Sequence, residues 1–269
     1  MTQRLALIGF GEAGMTFATA SGWGAAATAF DIDPARRPLM KQAGVLPSMD
    51  AGKALGGSSI VLSLVTAGSA LNAAKQCANF LEKGALWIDM NSVAPDTKRT
   101  AAAIIEAASG SYVDAAVLAP VDPARMKVPI LLSGPAEEYA RIALTALGFV
   151  NLRPVGPAIG QASAIKMIRS VMVKGVEALT GEMMAAANAA GVTAEVLSSL
   201  DASEQSRPWA ERAEYNLERM ATHGLRRAEE MEEAVKTLRS LGVEPTMTIG
   251  TVRRQRDAAK GHATARDAA

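Results

Sequence analysis

The chain is poor in the residues that mark several large classes of protein. Its 269 residues include one cysteine and two histidines. A single thiol, Cys77, excludes an intrachain disulfide framework and a cysteine-based metal cluster, and it fits a reducing compartment. Its setting, Ala74-Lys75-Gln76-Cys77-Ala78, suits a small helix residue better than a nucleophile. His262 falls in a polar C-terminal stretch. His223, in Ala221-Thr222-His223-Gly224, reads as a polar residue between two helices, so histidine catalysis is not expected. No group of residues has metal-ligand spacing, and no metal is expected. Aromatics make up 4% of the chain, too few for a base-stacking surface. Charge of one sign is also missing: 28 basic side chains against 27 acidic ones leave +1, no field for nucleic acid or anionic lipid. No apolar run reaches about 18 residues, so no membrane span is expected. The first apolar run is too short for a signal-peptide core and enters a glycine turn, so a cytoplasmic protein is expected. No repeat of solenoid period is apparent.

The chain does have apolar bulk and a glycine turn. Half the residues are apolar (49%), and the length exceeds what one core usually covers, so two domains are expected. The run Leu5-Ala6-Leu7-Ile8 breaks into Gly9-Phe10-Gly11-Glu12-Ala13-Gly14. A buried parallel strand, a G-x-G-x-x-G turn and a helix N-terminus together form a site for a dinucleotide pyrophosphate. Gly9 permits the tight turn, Gly11 lets phosphate approach the backbone, and Gly14 lets the helix lie close on the strand. The helix's unpaired N–H groups and dipole face the anion. Asp31 follows at about the distance, some 20 residues on, where an acid meets the adenosine ribose.

Beyond the turn, strands and helices alternate. Strands are expected at residues 4–8, 26–30, 59–65, 85–90, 112–117, 128–133 and 149–153, with helices between them. This pattern predicts an α/β domain, a Rossmann-type doubly wound and mostly parallel sheet, over residues 1–155. It stops at Pro154-Val155-Gly156-Pro157. An all-helical domain is expected over 156–258, and a disordered tail over 259–269. Its first helix, from Ile159 to about Ala190, is apolar on most sides, which predicts burial in a core or against a second copy and hence a homodimer. Shorter helices are expected at 194–200 and 208–221. A last amphipathic helix carries Leu225, Ala228, Met231, Val235, Leu238 and Leu241.

A dinucleotide site implies hydride transfer, which calls for a group to handle the proton. Lys166 projects from the apolar helix, where burial would bring its pKa toward the working pH. Neutral, it can take a hydroxyl proton as hydride leaves the carbinol carbon; charged, it can return one. Periodicity alone equally allows a lysine that snorkels to the surface. Ser170 lies one turn on, placed to hold the amine or a substrate.

Four stretches fall in order: Gly9 to Gly14, Asp89-Met90-Asn91-Ser92, Asp114-Ala115-Ala116-Val117, and Gly160-Gln161-Ala162-Ser163-Ala164-Ile165-Lys166. They resemble the signatures of the β-hydroxyacid dehydrogenases, the superfamily of 3-hydroxyisobutyrate and 6-phosphogluconate dehydrogenases. The resemblance runs from residue 3 to about 257. It implies an NAD(P)-dependent dehydrogenase acting on CH–OH groups, with Lys166 as general acid/base. The cofactor would lie along Gly9, Phe10, Gly11, Glu12, Ala13, Gly14, Asp31, Val65, Thr66 and Asn91. Ser92, Leu118, Ala119, Pro120 and Ser170 would face the substrate. The helix from Ile159 would link the domains and dimerise.

The departures matter as much. Family members commonly read Asp-Ala-Pro-Val-Ser-Gly-Gly, where the serine and following backbone hold a carboxylate. Here the run is Asp114-Ala115-Ala116-Val117-Leu118-Ala119-Pro120, so the hydroxyl is gone and one N–H is missing. The family's usual asparagine is Ser170, and Ala162 replaces a glycine. This describes a divergent branch with an altered carboxylate end. Asp31 favours NAD by repelling a 2′-phosphate, although Arg36 and Arg37 offer one a partner, so NADP stays possible. Two other activities stay open. One is imine reduction, whose enzymes commonly carry an acid or tyrosine in place of the lysine. The other is a non-catalytic dinucleotide sensor.

Overall fold

A computed structural model describes residues 4–203 and 207–267. Contacts divide the chain into two compact units, Met1–Arg169 and Ser170–Ala269.

The first unit opens with β1 (Leu5–Ile8), fully buried, which turns into α1 (Glu12–Ser21) and ends on left-handed Gly22. β2 (Ala27–Phe30), α2 (Arg37–Gln42) and β3 (Leu46–Pro47) follow. The Asp50 carboxylate accepts the Lys53 N–H at 2.7 Å and so caps α3 (Ala51–Leu55). Next come β4 (Ile60–Ser63), α4 (Ala70–Ala78), β5 (Leu86–Asp89) and α5 (Pro95–Ala107), where proline takes the first turn. β6 (Ser111–Val117), β7 (Ile130–Ser133), α6 (Glu137–Ala146) and β8 (Leu152–Pro154) complete the sheet.

The sheet order is β3-β2-β1-β4-β5-β6-β7-β8. Every pairing is parallel except β6 with β7. The expected doubly wound, mostly parallel sheet is therefore the one observed. Side-chain alternation assigns its two faces. Leu5, Leu7, Leu62 and Ile88 pack with Phe17, Met40 and Phe149 on one side. Ala6, Ile8, Val61 and Trp87 pack with Leu55, Ala74 and Ile105 on the other. The order in which strands are added reverses between β1 and β4, which stay parallel, and such a switch point opens a crevice at the strands' carboxyl ends.

Two local expectations change here. β3 was not foreseen, because a two-residue edge strand has no periodicity to read. The last strand starts at Leu152 and not Phe149: Phe149 is drawn into the core instead, edge-on to Phe17 with centroids 4.9 Å apart.

α7 (Gln161–Ala190) begins in the first unit and continues into the second, where α8 (Thr193–Ser203), α9 (Trp209–Ser240) and α10 (Thr246–Asp267) follow. Among the described residues no strand follows β8. α9 is one helix where two were expected. Gly224 does not break it, since its lack of a side chain serves packing: a Cβ there would lie 2.3 Å from the Gln255 carbonyl oxygen of α10. His223 is accordingly an exposed mid-helix residue. α10 also runs through residues 259–267, where a disordered tail was expected. Residues 268 and 269 lie outside the described residues. No described helix is long and apolar enough to cross a membrane.

Candidate active site

The three glycines of the first turn do three different jobs. Gly9 has φ +94°, and a Cβ on it would meet the Leu64 carbonyl oxygen at 2.5 Å, so β1 and β4 approach closely at the switch point. A Cβ on Gly14 would lie 2.9 Å from the Gly9 carbonyl oxygen, which brings α1 tight against its strand. Gly11 has nothing within 4 Å of a Cβ and faces open space. No side chain caps the α1 N-terminus. The turn is thus a cradle with unspent N–H groups, and it fits a dinucleotide pyrophosphate.

Beside it lies a cleft of ≈ 320 Å³ lined by Gly9, Gly11, Asp31, Arg36, Thr66 and Cys77, among others. The Asp31 carboxylate is fixed from both sides. One oxygen accepts the Phe10 N–H at 2.6 Å, and the other accepts the Asp33 N–H at 2.8 Å. The acid is thereby held at the cleft, where ribose hydroxyls would meet it. The Phe10 side chain is wholly buried, so only its backbone faces this region. Arg36 lies 3.5 Å from Asp33 in a half-exposed pair. Burial pushes the Cys77 thiol up to about 12, which agrees with an inert helix residue.

Leu64, Val65 and Thr66 also wall a second cavity, of ≈ 420 Å³. Glu12, Ala13, Asn91, Ser92, Ala119, Pro120 and Lys166 complete much of its lining. Most of the predicted site residues therefore converge on two adjoining spaces. Lys166, half-buried, donates from Nζ to the Ser92 hydroxyl. This bond joins the loop after β5 to the first turns of α7.

Asn91, one of the lining residues, also makes structural bonds. It is buried, its Oδ1 accepts the Val65 N–H at 2.7 Å, and its Nδ2 donates to Ser63 Oγ at 2.9 Å. The side chain holds the 64–66 loop in place. Leu118 is not among the cavity's lining residues; it packs with Ala116, Leu131 and Ala162. Its N–H goes to the Pro129 carbonyl at 2.9 Å, and its carbonyl accepts from Arg169 at 3.2 Å. The altered loop therefore presents Ala119 and Pro120 to the cavity. Ser170 is the first residue of the second unit.

Beneath the cavity runs a row of polar residues that the sequence did not announce as a unit. Register aligns Ser63 with Asp89, Asp89 with Asp114, and Asp114 with Ser133. Lys98, from the first turn of α5, enters this row fully buried. It donates to the Asp89 carbonyl at 2.6 Å and to Asp89 Oδ1 at 2.9 Å, and it lies 3.3 Å from Asp114 Oδ1. Tyr112 donates its hydroxyl to Asp89 Oδ2 at 2.7 Å. Burial first, and then the nearby carboxylates, raises the tyrosine pKa far above its usual range, so it stays a protonated donor. A lysine in Pro95-Asp96-Thr97-Lys98-Arg99 looks like one more solvated charge of a first turn, and only the sheet register shows otherwise.

Comparison with known proteins agrees with this geometry. The model for the NAD binding domain of 6-phosphogluconate dehydrogenase matches residues 4–148. A domain of unknown function, DUF1932, matches residues 187–258. The crystal structure of a conserved hypothetical protein from Sinorhizobium meliloti 1021 is 40% identical, over 97% of this chain and 89% of that one, with a TM-score of 0.63. The conserved protein MTH1747, of unknown function and described as structurally similar to 3-hydroxyacid dehydrogenases, is 30% identical over 96% of this chain and 97% of its own, with a TM-score of 0.62. An imine reductase from Myxococcus stipitatus in complex with NADP+ shares the fold at 18% identity, over 96% of this chain and 94% of its own, with a TM-score of 0.78. A V8 variant of that reductase was solved with NAD+. This chain belongs to the family built on the NAD binding domain of 6-phosphogluconate dehydrogenase, among the 3-hydroxyacid dehydrogenase-like NAD(P)-binding oxidoreductases.

Proposed function

We propose that the protein is an NAD(P)-dependent dehydrogenase that oxidises a CH–OH group of a hydroxyacid-like substrate, or reduces the matching carbonyl, with Lys166 as general acid/base. The observation that carries this reading is the Lys166–Ser92 hydrogen bond in a cavity that shares the Leu64–Thr66 wall with the dinucleotide cleft. Gly9, Gly11 and the α1 N-terminus would hold the pyrophosphate, and Asp31 the adenosine ribose. When bound, the nicotinamide supplies or accepts the hydride. Ser92 orients the Lys166 amine. In the oxidative direction neutral Nζ takes the hydroxyl proton; in the reductive direction the charged amine returns it to the substrate oxygen.

The test is Lys166→Met, assayed by nicotinamide absorbance on a panel of polyhydroxy and aryl-bearing hydroxy acids. Turnover should fall about 1000-fold with dinucleotide binding intact. Turnover near that of the unmodified protein overturns the lysine role. Imines belong in the same panel, because activity on C=N bonds alone would move the chemistry to the reductase reading. Dinucleotide binding in calorimetry, with no turnover on any member, would favour a sensor.

Both Asp31 oxygens accept from backbone N–H groups, which fixes the carboxylate at the cleft, where it would accept from ribose hydroxyls and repel a 2′-phosphate, favouring NAD over NADP. The protein also forms a homodimer in this reading, working in the cytoplasm. Ile168 is 73% exposed and Val171 76% exposed on α7, with Val176 and Leu179 also uncovered, an apolar stripe that one chain leaves in water. A monomeric mass by light scattering at micromolar concentration would sink the dimer.

A further inference from the structure

Lys98 belongs to none of the motifs that led to the site, yet its two carboxylate partners, Asp89 and Asp114, each bond onward to a segment that lines the second cavity or carries one of its residues. Its ammonium is wholly buried, as are Asp89 and Asp114 beside it. Asp89 Oδ1 also accepts the Asn91 N–H at 2.9 Å, which fixes the start of the Asn91–Ser92 loop. Asn91 in turn holds Val65. On the other side, Asp114 Oδ2 accepts the Ser163 N–H at 2.9 Å and the Ser133 hydroxyl at 3.2 Å. Ser133 Oγ accepts the Ala162 N–H at 3.0 Å. These two N–H groups lie in the first turn of α7, one turn before Lys166. The polar row thus caps the helix that bears Lys166 and anchors the loop that bears its partner Ser92.

The two halves meet at Lys98. Asp114 Oδ1 has no hydrogen bond among the described residues, and the Lys98 ammonium 3.3 Å away provides its charge contact. One cation between two buried carboxylates leaves a net negative charge. The α7 N-terminus faces that charge through Ser163, a favourable pairing with the helix dipole. Two buried carboxylates without the cation would repel each other and draw in water. An apolar residue could fill the same space but would link neither acid. The lysine therefore does more than occupy volume: it ties β5 to β6, and through them Ser92 to Lys166.

We propose that Lys98 is a positioning residue for the reaction site, its buried ammonium setting the Ser92–Lys166 contact through Asp89 on one side and Asp114 on the other. This rests on the proposed role of Lys166, but its test reads the Lys166 amine and not turnover.

The full-length protein is labelled with a trace amine-reactive reagent over a range of pH, and the rate at Lys166 is measured by peptide mass spectrometry. NADH binding and the thermal midpoint are followed in parallel. Lys98→Met should change the Lys166 labelling rate about threefold or more, the change that half a pKa unit of altered setting produces. Lys98→Met with Asp114→Asn restores the net buried charge and keeps an acceptor for the Ser163 N–H, so it remains readable where the single variant fails to fold. In this double variant stability and NADH binding should recover while the Lys166 profile stays altered. A profile that returns to that of the unmodified protein together with stability would show Lys98 to be structural only and overturn the proposal. Catalysis that survives Lys166→Met would overturn the functional reading but leave this result standing, so the two failures are distinguishable.

Discussion

The dinucleotide cleft and the cavity beside Lys166 share a wall but are specified in opposite ways. The cleft is shaped by backbone. Gly9, Gly11 and Gly14 act through what they lack, and Asp31 is fixed by main-chain N–H groups from its own neighbourhood. The cavity is shaped by residues brought from the loops after β4, β5 and β6 and from α7, with a buried polar row behind the β5 loop and α7. Backbone geometry tolerates few sequences and therefore leaves a motif. A cavity of converging side chains tolerates many, so a branch of the family can change it without losing the fold. Leu118 shows how: it turns into a small core beside Ala162 and leaves Ala119 and Pro120 at the cavity.

Substitutions can break or sharpen this contrast. The largest effect is expected at Gly9→Ala, where positive φ and the Leu64 carbonyl at 2.5 Å should together cost about 3 kcal/mol or more in a denaturant titration. Gly11→Ala should leave the denaturant midpoint nearly unchanged, because nothing lies within 4 Å of the new methyl group. It should instead weaken NADH binding about 100-fold by calorimetry, since the methyl takes the phosphate's place. If Gly11→Ala lowers stability and spares binding, the cradle is misassigned. Asp31→Asn should erode preference for NAD over NADP about tenfold, read from the ratio of kcat/KM values, as one charged acceptor is lost. Ser92→Ala should reduce kcat about fivefold with the NADH affinity unmoved, the loss of one ordinary hydrogen bond to the Lys166 amine.

The smallest effect is expected outside both cavities, at Glu182→Gln. Glu182 accepts from the Met247 and Thr248 N–H groups at 2.7 and 2.9 Å and from the Thr248 hydroxyl, capping α10. Burial raises its pKa, but these donors outweigh it and the net shift is downward. A lowered folded pKa stabilises the protein above the ordinary carboxylate range, and that contribution is lost as pH falls through the lowered value. The thermal midpoint of Glu182→Gln should thus lie slightly below that of the unmodified protein at neutral pH and converge with it in acid.

The same contrast separates what could be read in advance from what could not. The strand and the turn are contiguous and Asp31 follows at a fixed spacing of about 20 residues, so the three can be read from a single stretch of chain. Lys166 was legible because a charge stands out on an apolar helix. Lys98 was not, because its neighbours Asp89 and Asp114 come from strands whose pairing alone aligns them. Asn91 was named from its motif, but its bonds to Val65 and Ser63 need β4 and β5 side by side. Gly224 looked like a helix end for a similar reason: only α10 crossing it explains a glycine inside α9.

By itself the sequence determined the alternation of strands and helices, the dinucleotide turn and the helix that carries Lys166, because each depends on periodicity or on residues close in the chain. The tertiary structure alone decided which polar groups meet in the buried row behind the second cavity and which side chains of the altered loop face that cavity. Burial and register are properties of neighbours distant in sequence, and a buried lysine between two carboxylates is written in the chain with the same letters as a solvated one.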